Sequence, residues 1–168
     1  MKYKTQTEYW VDTKTGKLRG EFEALYQDID DPWECTKKVG SALNNQFIDL
    51  IFQGGRNYSK ILDIGCGQGA LTKRIHDCNT GNVTGVDVSA TGTSTARDNY
   101  PLINFQVFDI IMEEDSDYRG FEAVIMSQVL WYLVDSANQS DIRSVLKKIK
   151  RMCVYDGILF VHQYFPLE

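Results

Sequence analysis

Short apolar runs alternate with amphipathic stretches along most of the chain. The apolar runs, predicted to be strands, cover residues 61–64, 83–88, 104–108, 121–126 and 158–165. Between them, residues from 70 onward and residues 138–153 place apolar side chains three or four positions apart, which predicts helices. A short helix is also predicted over residues 89–101, where Pro101 fixes its end. Strands that alternate with helices predict an α/β fold with a mostly parallel sheet of five strands flanked by helices.

The N-terminal part lacks this alternation. Residues 1–20 are polar and rich in turn-forming residues, which predicts an arm or lid, and residues 21–168 are expected to form the single folded domain. Apolar side chains at three- and four-residue spacing after Pro32 predict one helix over residues 33–52. A turn at residues 155–157 is expected to precede the fifth strand.

The first strand runs into a glycine-rich loop, and this junction carries the chemistry. Gly65, Gly67 and Gly69 follow the strand, Asp63 stands within it, and Asp87 ends the next strand. Glycines allow a sharp turn and close approach of a ligand to the backbone, and the distal acid is placed to bind a ribose diol. The spacing is neither the G-x-G-x-x-G of dinucleotide sites nor a P-loop, and Asp63 favours a cationic ligand. The pattern therefore favours an adenosine that carries a positive charge.

The segment D-I-G-C-G-Q-G-A-L-T resembles motif I of the class I S-adenosylmethionine-dependent methyltransferases. The resemblance implies a Rossmann-like fold and S-adenosylmethionine as the cofactor. It also implies that an acid after the third strand, here Asp109, contacts the adenine amino group. The complete expected cofactor site comprises Asp63, Gly65, Cys66, Gly67, Gly69, Asp87, Val88, Asp109, Ile110, Ser127 and Gln128.

Two further segments resemble the nodulation N-methyltransferases, which methylate an amine on a chitooligosaccharide. They are L-Y-Q-D-I-D-D-P-W, ending at Trp33, and I-M-S-Q-V-L-W-Y-L, which contains Trp131 and Tyr132. The resemblance implies a small polar acceptor, an amine or hydroxyl on a sugar. Trp33, Trp131, Tyr132 and Tyr164 are the candidate acceptor-binding residues, and a place in the core is the alternative for the two tryptophans and Tyr132.

Two residues are candidates for the catalytic role, Tyr132 and His162. His162 falls near the carboxyl end of the fifth strand, where open α/β sheets bind their ligands. A hydroxyl acceptor needs a general base, and an amine must arrive deprotonated. A strand histidine that is merely hydrogen-bonded in place is the alternative for His162.

Composition narrows the possible partners. A net charge of −5 argues against a nucleic-acid partner, which requires a clustered basic face. The four cysteines lie far apart without metal-ligand spacing, so no metal site is expected and the thiols are expected to be reduced. Neither a signal peptide nor a long apolar span is evident, which predicts a cytoplasmic protein without membrane contact.

Two other functions stay open on the sequence. A methyltransferase-like module that binds the cofactor without catalysis is one. An NAD-dependent reductase is the other, disfavoured by the glycine spacing and by the lack of a Tyr-x-x-x-Lys pair. Class I methyltransferases usually continue with an antiparallel hairpin, which is expected to be missing here. The fifth strand would then be an open edge through which a homodimer can form.

Overall fold

The structure is a computed structural model that describes residues 2–38, 40–133 and 139–164. Eight helices are described: α1 (Thr7–Trp10), α2 (Phe22–Asp28), α3 (Cys35–Lys38), α4 (Ala42–Ile51), α5 (Ala70–Cys78), α6 (Ala90–Asn99), α7 (Leu130–Leu133) and α8 (Gln139–Met152). The strands are β1 (Lys60–Ile64), β2 (Asn82–Asp87), β3 (Asn104–Val107), β4 (Phe121–Ser127) and β5 (Cys153–His162). Within the described ranges, none of the helices is long and apolar enough to cross a membrane.

The five strands form one sheet in the order β3-β2-β1-β4-β5, and every neighbouring pair is parallel. The predicted α/β fold with a five-stranded parallel sheet is confirmed. Ile64 at the end of β1 pairs with Val86 on one side and Met126 on the other, and Ser127 pairs with His162. All five carboxyl ends therefore meet at one edge of the sheet, which is where open α/β sheets bind ligands.

Helices cover both faces of the sheet. Side chains along a strand alternate between the two faces, so a strand of apolar residues presents apolar side chains to helices on each side. Leu62 and Ile64 of β1 pack in a core cluster with residues of α8, including Val145 and Ile149. Ile61, the residue before Leu62, packs on the opposite face in a cluster built with α4 and α5. Both faces of β1 are buried, which explains why this strand is a continuous apolar run interrupted only by Asp63.

The helix predicted over residues 33–52 is broken, so this prediction was wrong. α3 ends at Lys38 and α4 begins at Ala42, after Ser41 in extended backbone. The Ser41 hydroxyl accepts a hydrogen bond from the backbone N–H of Asn44 at 3.3 Å, an N-cap that starts a new helix. The apolar spacing continues across the break, and so periodicity alone did not reveal it.

The turn predicted at residues 155–157 is instead an irregularity inside β5. Phe121 pairs with Cys153, but the next pair is Ala123 with Ile158, so residues 154–157 bulge out of the ladder. A Cβ added to Gly157 would lie 3.0 Å from the carbonyl oxygen of Phe121, which makes this position suited to glycine. The strand thus starts directly after α8 and bends at the bulge.

The N-terminal segment is folded against α2. The Tyr9 side chain is completely buried and its hydroxyl donates a hydrogen bond to Asp28. Val11 and Leu18 form an antiparallel bridge that closes the segment into a hairpin-like turn. This packing brings Trp10 to the edge of the sheet that carries the candidate site.

Candidate active site

The glycine loop follows β1 and has backbone that only glycine adopts without strain. Gly65, Gly67 and Gly69 have φ values of 76°, 52° and 83°. A Cβ at Gly65 would lie 2.2 Å from Cγ2 of Val129, and one at Gly67 would lie 2.5 Å from the Tyr26 hydroxyl oxygen. The glycines thus form the predicted tight turn, and the groups closest to Gly65 and Gly67 are side chains of the protein itself.

Cys66, the other candidate within the loop, points into the protein. It packs against a small core cluster that contains Ala96 and Phe105, and burial raises the pKa of its thiol. Its side chain thus supports the loop from below.

Asp87 at the end of β2 is bonded to the glycine loop. Its Oδ2 atom accepts the N–H of Gly67 at 2.8 Å, and its Oδ1 atom accepts the N–H of Ser89 at 2.9 Å. Burial raises the pKa of Asp87, and the two N–H groups oppose that rise by stabilising the ionised form. Since a carboxylate has about four acceptor positions, Asp87 keeps capacity for the two hydroxyls of a ribose.

Asp63 lies beneath the loop. Only 2% of its surface is exposed, and Oδ2 accepts a 2.6 Å hydrogen bond from the Thr72 hydroxyl of α5. Burial raises the pKa of Asp63 to about 7, against the effect of that hydrogen bond. Asp63 thus ties β1 to α5 and is placed to support the loop.

Beyond β3, Asp109 closes a turn. Its Oδ1 atom accepts the N–H groups of Ile111 at 2.8 Å and Met112 at 3.2 Å. Next to it Ile110 is buried, whereas Val88, directly after Asp87, is 46% exposed. Asp109 therefore caps the turn that follows β3, and these two hydrogen bonds hold its side chain in place.

Ser127 and His162 meet at the other half of this edge. The Ser127 hydroxyl oxygen lies 3.1 Å from Nδ1 of His162, and the imidazole stacks on Phe47 with ring centroids 4.8 Å apart. Burial lowers the pKa of His162, so the ring is neutral near pH 7. A neutral imidazole has one nitrogen able to accept a proton.

Gln128 joins the ends of β4 and β5. Its φ of 61° is unusual for a residue with a side chain, and its N–H donates to the carbonyl oxygen of His162 at 2.7 Å. Its Oε1 atom accepts hydrogen bonds from Gln163 Nε2 and Tyr164 N, each at 3.1 Å. Strained backbone of this kind persists where the surroundings enforce it, frequently at functional sites.

Tyr132 is the centre of a group that we call the aromatic cluster, formed with Trp10, Phe22 and Trp33. The ring centroids of these three lie 5.5, 5.0 and 5.8 Å from that of Tyr132. Burial raises the pKa of Tyr132 to about 12, so its hydroxyl keeps its proton at neutral pH. Tyr132 and Trp33 are thus brought together, as a common acceptor-binding role requires.

Trp131 and Tyr164 lie side by side at the surface, outside that cluster. Trp131 is 52% exposed, and its indole N–H donates to the carbonyl oxygen of Tyr164 at 3.4 Å. They form an exposed aromatic pair beside the carboxyl end of β5.

Sequence reasoning assigned no site role to three residues that reach this edge: Trp10, Phe22 and Glu23. Trp10 and Phe22 complete the aromatic cluster, and Tyr26 lies against the glycine loop. The one available signal was the three-residue spacing of Glu23 and Tyr26, which places both on one face of a helix. Nothing in the sequence indicated what that face covers.

Known proteins match this chain in the same region. A family model described as a methyltransferase domain matches residues 61–157. The malonyl-[acyl-carrier protein] O-methyltransferase of Acetivibrio thermocellus is 24% identical over 129 residues, 76% of this chain and 43% of that protein. The chain thus spans less than half the length of this curated relative.

Solved structures share the fold at low sequence identity. N-methyltransferase NodS from Bradyrhizobium japonicum WM9, in complex with S-adenosyl-L-homocysteine, matches with a TM-score of 0.64 and 24% identity, over 79% of this chain and 66% of that one. The sugar N-methyltransferase KedS8 from a Streptoalloteichus species matches with a TM-score of 0.65 and 17% identity, over 81% and 53%. The chain therefore belongs to the methyltransferase domain family and has the class I, Rossmann-like fold.

Proposed function

We propose that this protein transfers a methyl group from S-adenosylmethionine to a small polar acceptor, an amine or hydroxyl on a sugar. The cofactor predicted from the sequence follows from membership of the class I methyltransferases. The acceptor class is supported by two proteins of the same fold, NodS, an N-methyltransferase, and KedS8, a sugar N-methyltransferase. Small-molecule methyl transfer also suits a chain with net charge −5.

The residues fit such a cofactor. The glycine loop has no Cβ where the backbone is crowded, and Asp87 is held by two N–H groups with acceptor positions to spare. In this proposal Asp87 binds the ribose diol, Val88 and Ile110 flank the adenine, and Asp109 receives the adenine amino group. S-Adenosylmethionine supplies a methyl group already activated by its sulfonium leaving group.

The acceptor would then be bound at the β4–β5 half of the edge. The observation that carries this assignment is the Ser127–His162 pair beside the glycine loop, since β4 is the direct neighbour of β1. When His162 Nδ1 donates to Ser127 Oγ, Nε2 is the basic atom that accepts the proton of the acceptor. Tyr132, protonated at neutral pH, acts as a donor and not as a base.

Alignment of the two reactants supplies most of the acceleration in such a displacement, up to about 7–11 kcal/mol. The aromatic cluster and the exposed pair Trp131 and Tyr164 provide faces on which a sugar ring can stack. Exclusion of water by half-buried aromatic side chains also favours the deprotonated amine.

The test combines cofactor binding with an acceptor screen. We expect S-adenosylhomocysteine to bind in calorimetric titrations and NAD to fail. Turnover is then measured with amino sugars, simple amines, catechols and peptides. Turnover confined to peptides contradicts the sugar acceptor, and tight S-adenosylhomocysteine binding without any turnover supports the non-catalytic module.

The His162 role is tested with His162→Asn against His76→Asn, since His76 lies on α5 away from the acceptor side. We expect His162→Asn to bind S-adenosylhomocysteine normally and to lose about a hundredfold in turnover, the contribution typical of general acid–base catalysis. Equal turnover in the two variants assigns His162 a purely structural hydrogen bond.

A further inference from the structure

Glu23, which no part of the proposed chemistry uses, binds the first turn of α6. Its Oε2 atom accepts the Ser89 hydroxyl at 2.7 Å and the Thr91 N–H at 3.1 Å, and Oε1 accepts the Thr91 hydroxyl at 2.6 Å. A helix N-terminus presents unsatisfied N–H groups and a partial positive charge, which a carboxylate satisfies. Burial alone would raise the pKa of Glu23, but the hydrogen bonds from Thr91 and Ser89 outweigh it and lower the pKa to about 2. Glu23 is therefore ionised at neutral pH.

Ser89 connects this carboxylate to the ribose acid. Its backbone N–H donates to Asp87, its hydroxyl donates to Glu23, and its hydroxyl oxygen accepts the N–H of Gly92. One residue thus lies between the two carboxylates and is hydrogen-bonded to both. Because Asp87 also holds the N–H of Gly67, the chain of contacts runs from α2 to the glycine loop.

Tyr26 completes the connection one helical turn along α2. It is 8% exposed, and its hydroxyl oxygen is the atom that lies closest to the Cβ position of Gly67. Its ring lies 3.3 Å from the Cβ position of Gly92, in the first turn of α6. Since residues three apart share a helix face, the bonds of Glu23 fix the placement of Tyr26.

We propose that Glu23 is a positioning residue for the cofactor: it anchors α2 to α6 and thereby holds Tyr26 on the glycine loop, with Asp87 in its bound geometry. This inference rests on the proposed function, because it takes the loop to be where the cofactor binds. A residue that merely stabilises packing between α2 and α6 would lower the melting temperature and leave cofactor affinity unchanged.

The primary experiment measures the affinity and dissociation rate of S-adenosylhomocysteine for Glu23→Gln. The matched control is Glu122→Gln, because Glu122 also accepts a backbone N–H, from Ser59 at 2.7 Å, but at the amino end of the sheet. We expect Glu23→Gln to bind about tenfold more weakly with faster release, the effect of one charge-assisted hydrogen bond, and Glu122→Gln to match wild type. Hydrogen exchange should show lost protection over residues 22–28 in Glu23→Gln only.

A double-mutant cycle with Thr91→Val separates positioning from general weakening. Because the Thr91 hydroxyl is a direct partner of Glu23, the double variant should bind S-adenosylhomocysteine no more weakly than Glu23→Gln alone. Additive losses, or equal affinities for Glu23→Gln and Glu122→Gln, overturn the inference. Should Glu23→Gln fail to fold, the test is made with Thr91→Val alone. We expect this variant to bind S-adenosylhomocysteine more weakly than wild type, and unchanged binding would overturn the inference.

The same measurements separate the inference from the proposed function. Wild-type protein that does not bind S-adenosylhomocysteine contradicts the proposed function itself. Normal binding by wild type and variants alike contradicts only the role of Glu23.

Discussion

At the scale of single residues, the candidate site contains groups whose conformation or protonation is set by their immediate neighbours. Gly65 turns the chain where a side chain would meet Val129, and Asp63 stays beneath the loop on a hydrogen bond from Thr72. Both residues are therefore constrained by a direct neighbour, Val129 for Gly65 and Thr72 for Asp63. Substituting either one should change the free energy of unfolding more than the same substitution at a glycine or aspartate without such a neighbour.

Gly65→Ala should be far more destabilising than Gly55→Ala. The two glycines share nearly the same backbone, with φ of 76° and 75°, but a Cβ at Gly55 meets nothing within 4 Å. Gly55→Ala should cost about 1 kcal/mol for left-handed backbone, and Gly65→Ala about 1–3 kcal/mol more because Val129 must move. Urea unfolding of both variants measures the difference, and equal losses would show that Val129 yields without cost.

Asp63→Asn should remove part of the pH dependence of stability. With a folded-state pKa near 7, above the unfolded value, the folded protein binds more protons, so stability falls as pH rises from about 4 to 7. The asparagine variant should lack this fall. Between pH 5 and pH 8 its free energy of unfolding should therefore rise relative to that of wild type, by up to about 4 kcal/mol, since one pKa unit corresponds to about 1.4 kcal/mol. Unfolding free energies at pH 5 and 8 test this, with the exposed Asp49→Asn as control. A wild-type slope retained in Asp63→Asn contradicts it.

At the scale of elements, helices away from the site hold its loops. Lys148 of α8 donates to the carbonyl oxygens of Ile110, Ile111 and Glu113 at 3.0, 2.8 and 2.6 Å. Arg151, on the same helix, binds the buried carboxylate of Asp115. The loop after β3, which contains Asp109, is thus fastened to α8 at residues 110–113 and at Asp115.

Lys148→Met should loosen that loop and weaken adenosine recognition. The variant keeps the aliphatic stem but removes the donor to three carbonyl oxygens, so we expect a loss of about 1 kcal/mol in stability. Binding of S-adenosylhomocysteine should weaken by about threefold to tenfold. Lys147→Met, at an exposed position of the same helix, is the control. Hydrogen exchange over residues 108–115 shows whether the loop is loosened. Equal exchange rates in Lys148→Met and Lys147→Met would show that Lys148 does not stabilise the loop.

At the scale of the whole molecule, the sheet has two edge strands, β3 and β5. Among the described residues, no strand pairs with the outer side of β5, where Tyr155 is fully exposed and Val161 is 46% exposed. A cavity of about 600 Å³ lies between α8 and β5, lined by residues such as Leu146 and Leu159. The cavity adjoins β5, which β4 and β1 separate from β2 and Asp87, and it is not part of the candidate site.

We expect the β5 edge to mediate self-association, as an unprotected edge strand favours. Val161→Lys should then abolish a concentration-dependent dimer in sedimentation velocity, because charge on an edge strand opposes pairing. Val107→Lys is a matched control on the other edge, where Val107 is 44% exposed. Loss of the dimer in Val107→Lys alone would assign association to β3, and a wild-type monomer at all concentrations would contradict the expectation.

The sequence by itself determined the alternation of strands and helices from β1 onward, the glycine loop and the acid at the end of β2. These are local properties: strand and helix periods, positive φ at glycine and a short spacing from loop to acid. Only the tertiary structure decided that Ser127 meets His162, because strand register is not encoded near either residue. The Glu23–Thr91 contact joins residues 68 apart in sequence. In the aromatic cluster, Trp10 of α1 contacts Tyr132 of α7. Such contacts form because distant apolar and charged groups are buried together, and no local pattern specifies which partners meet.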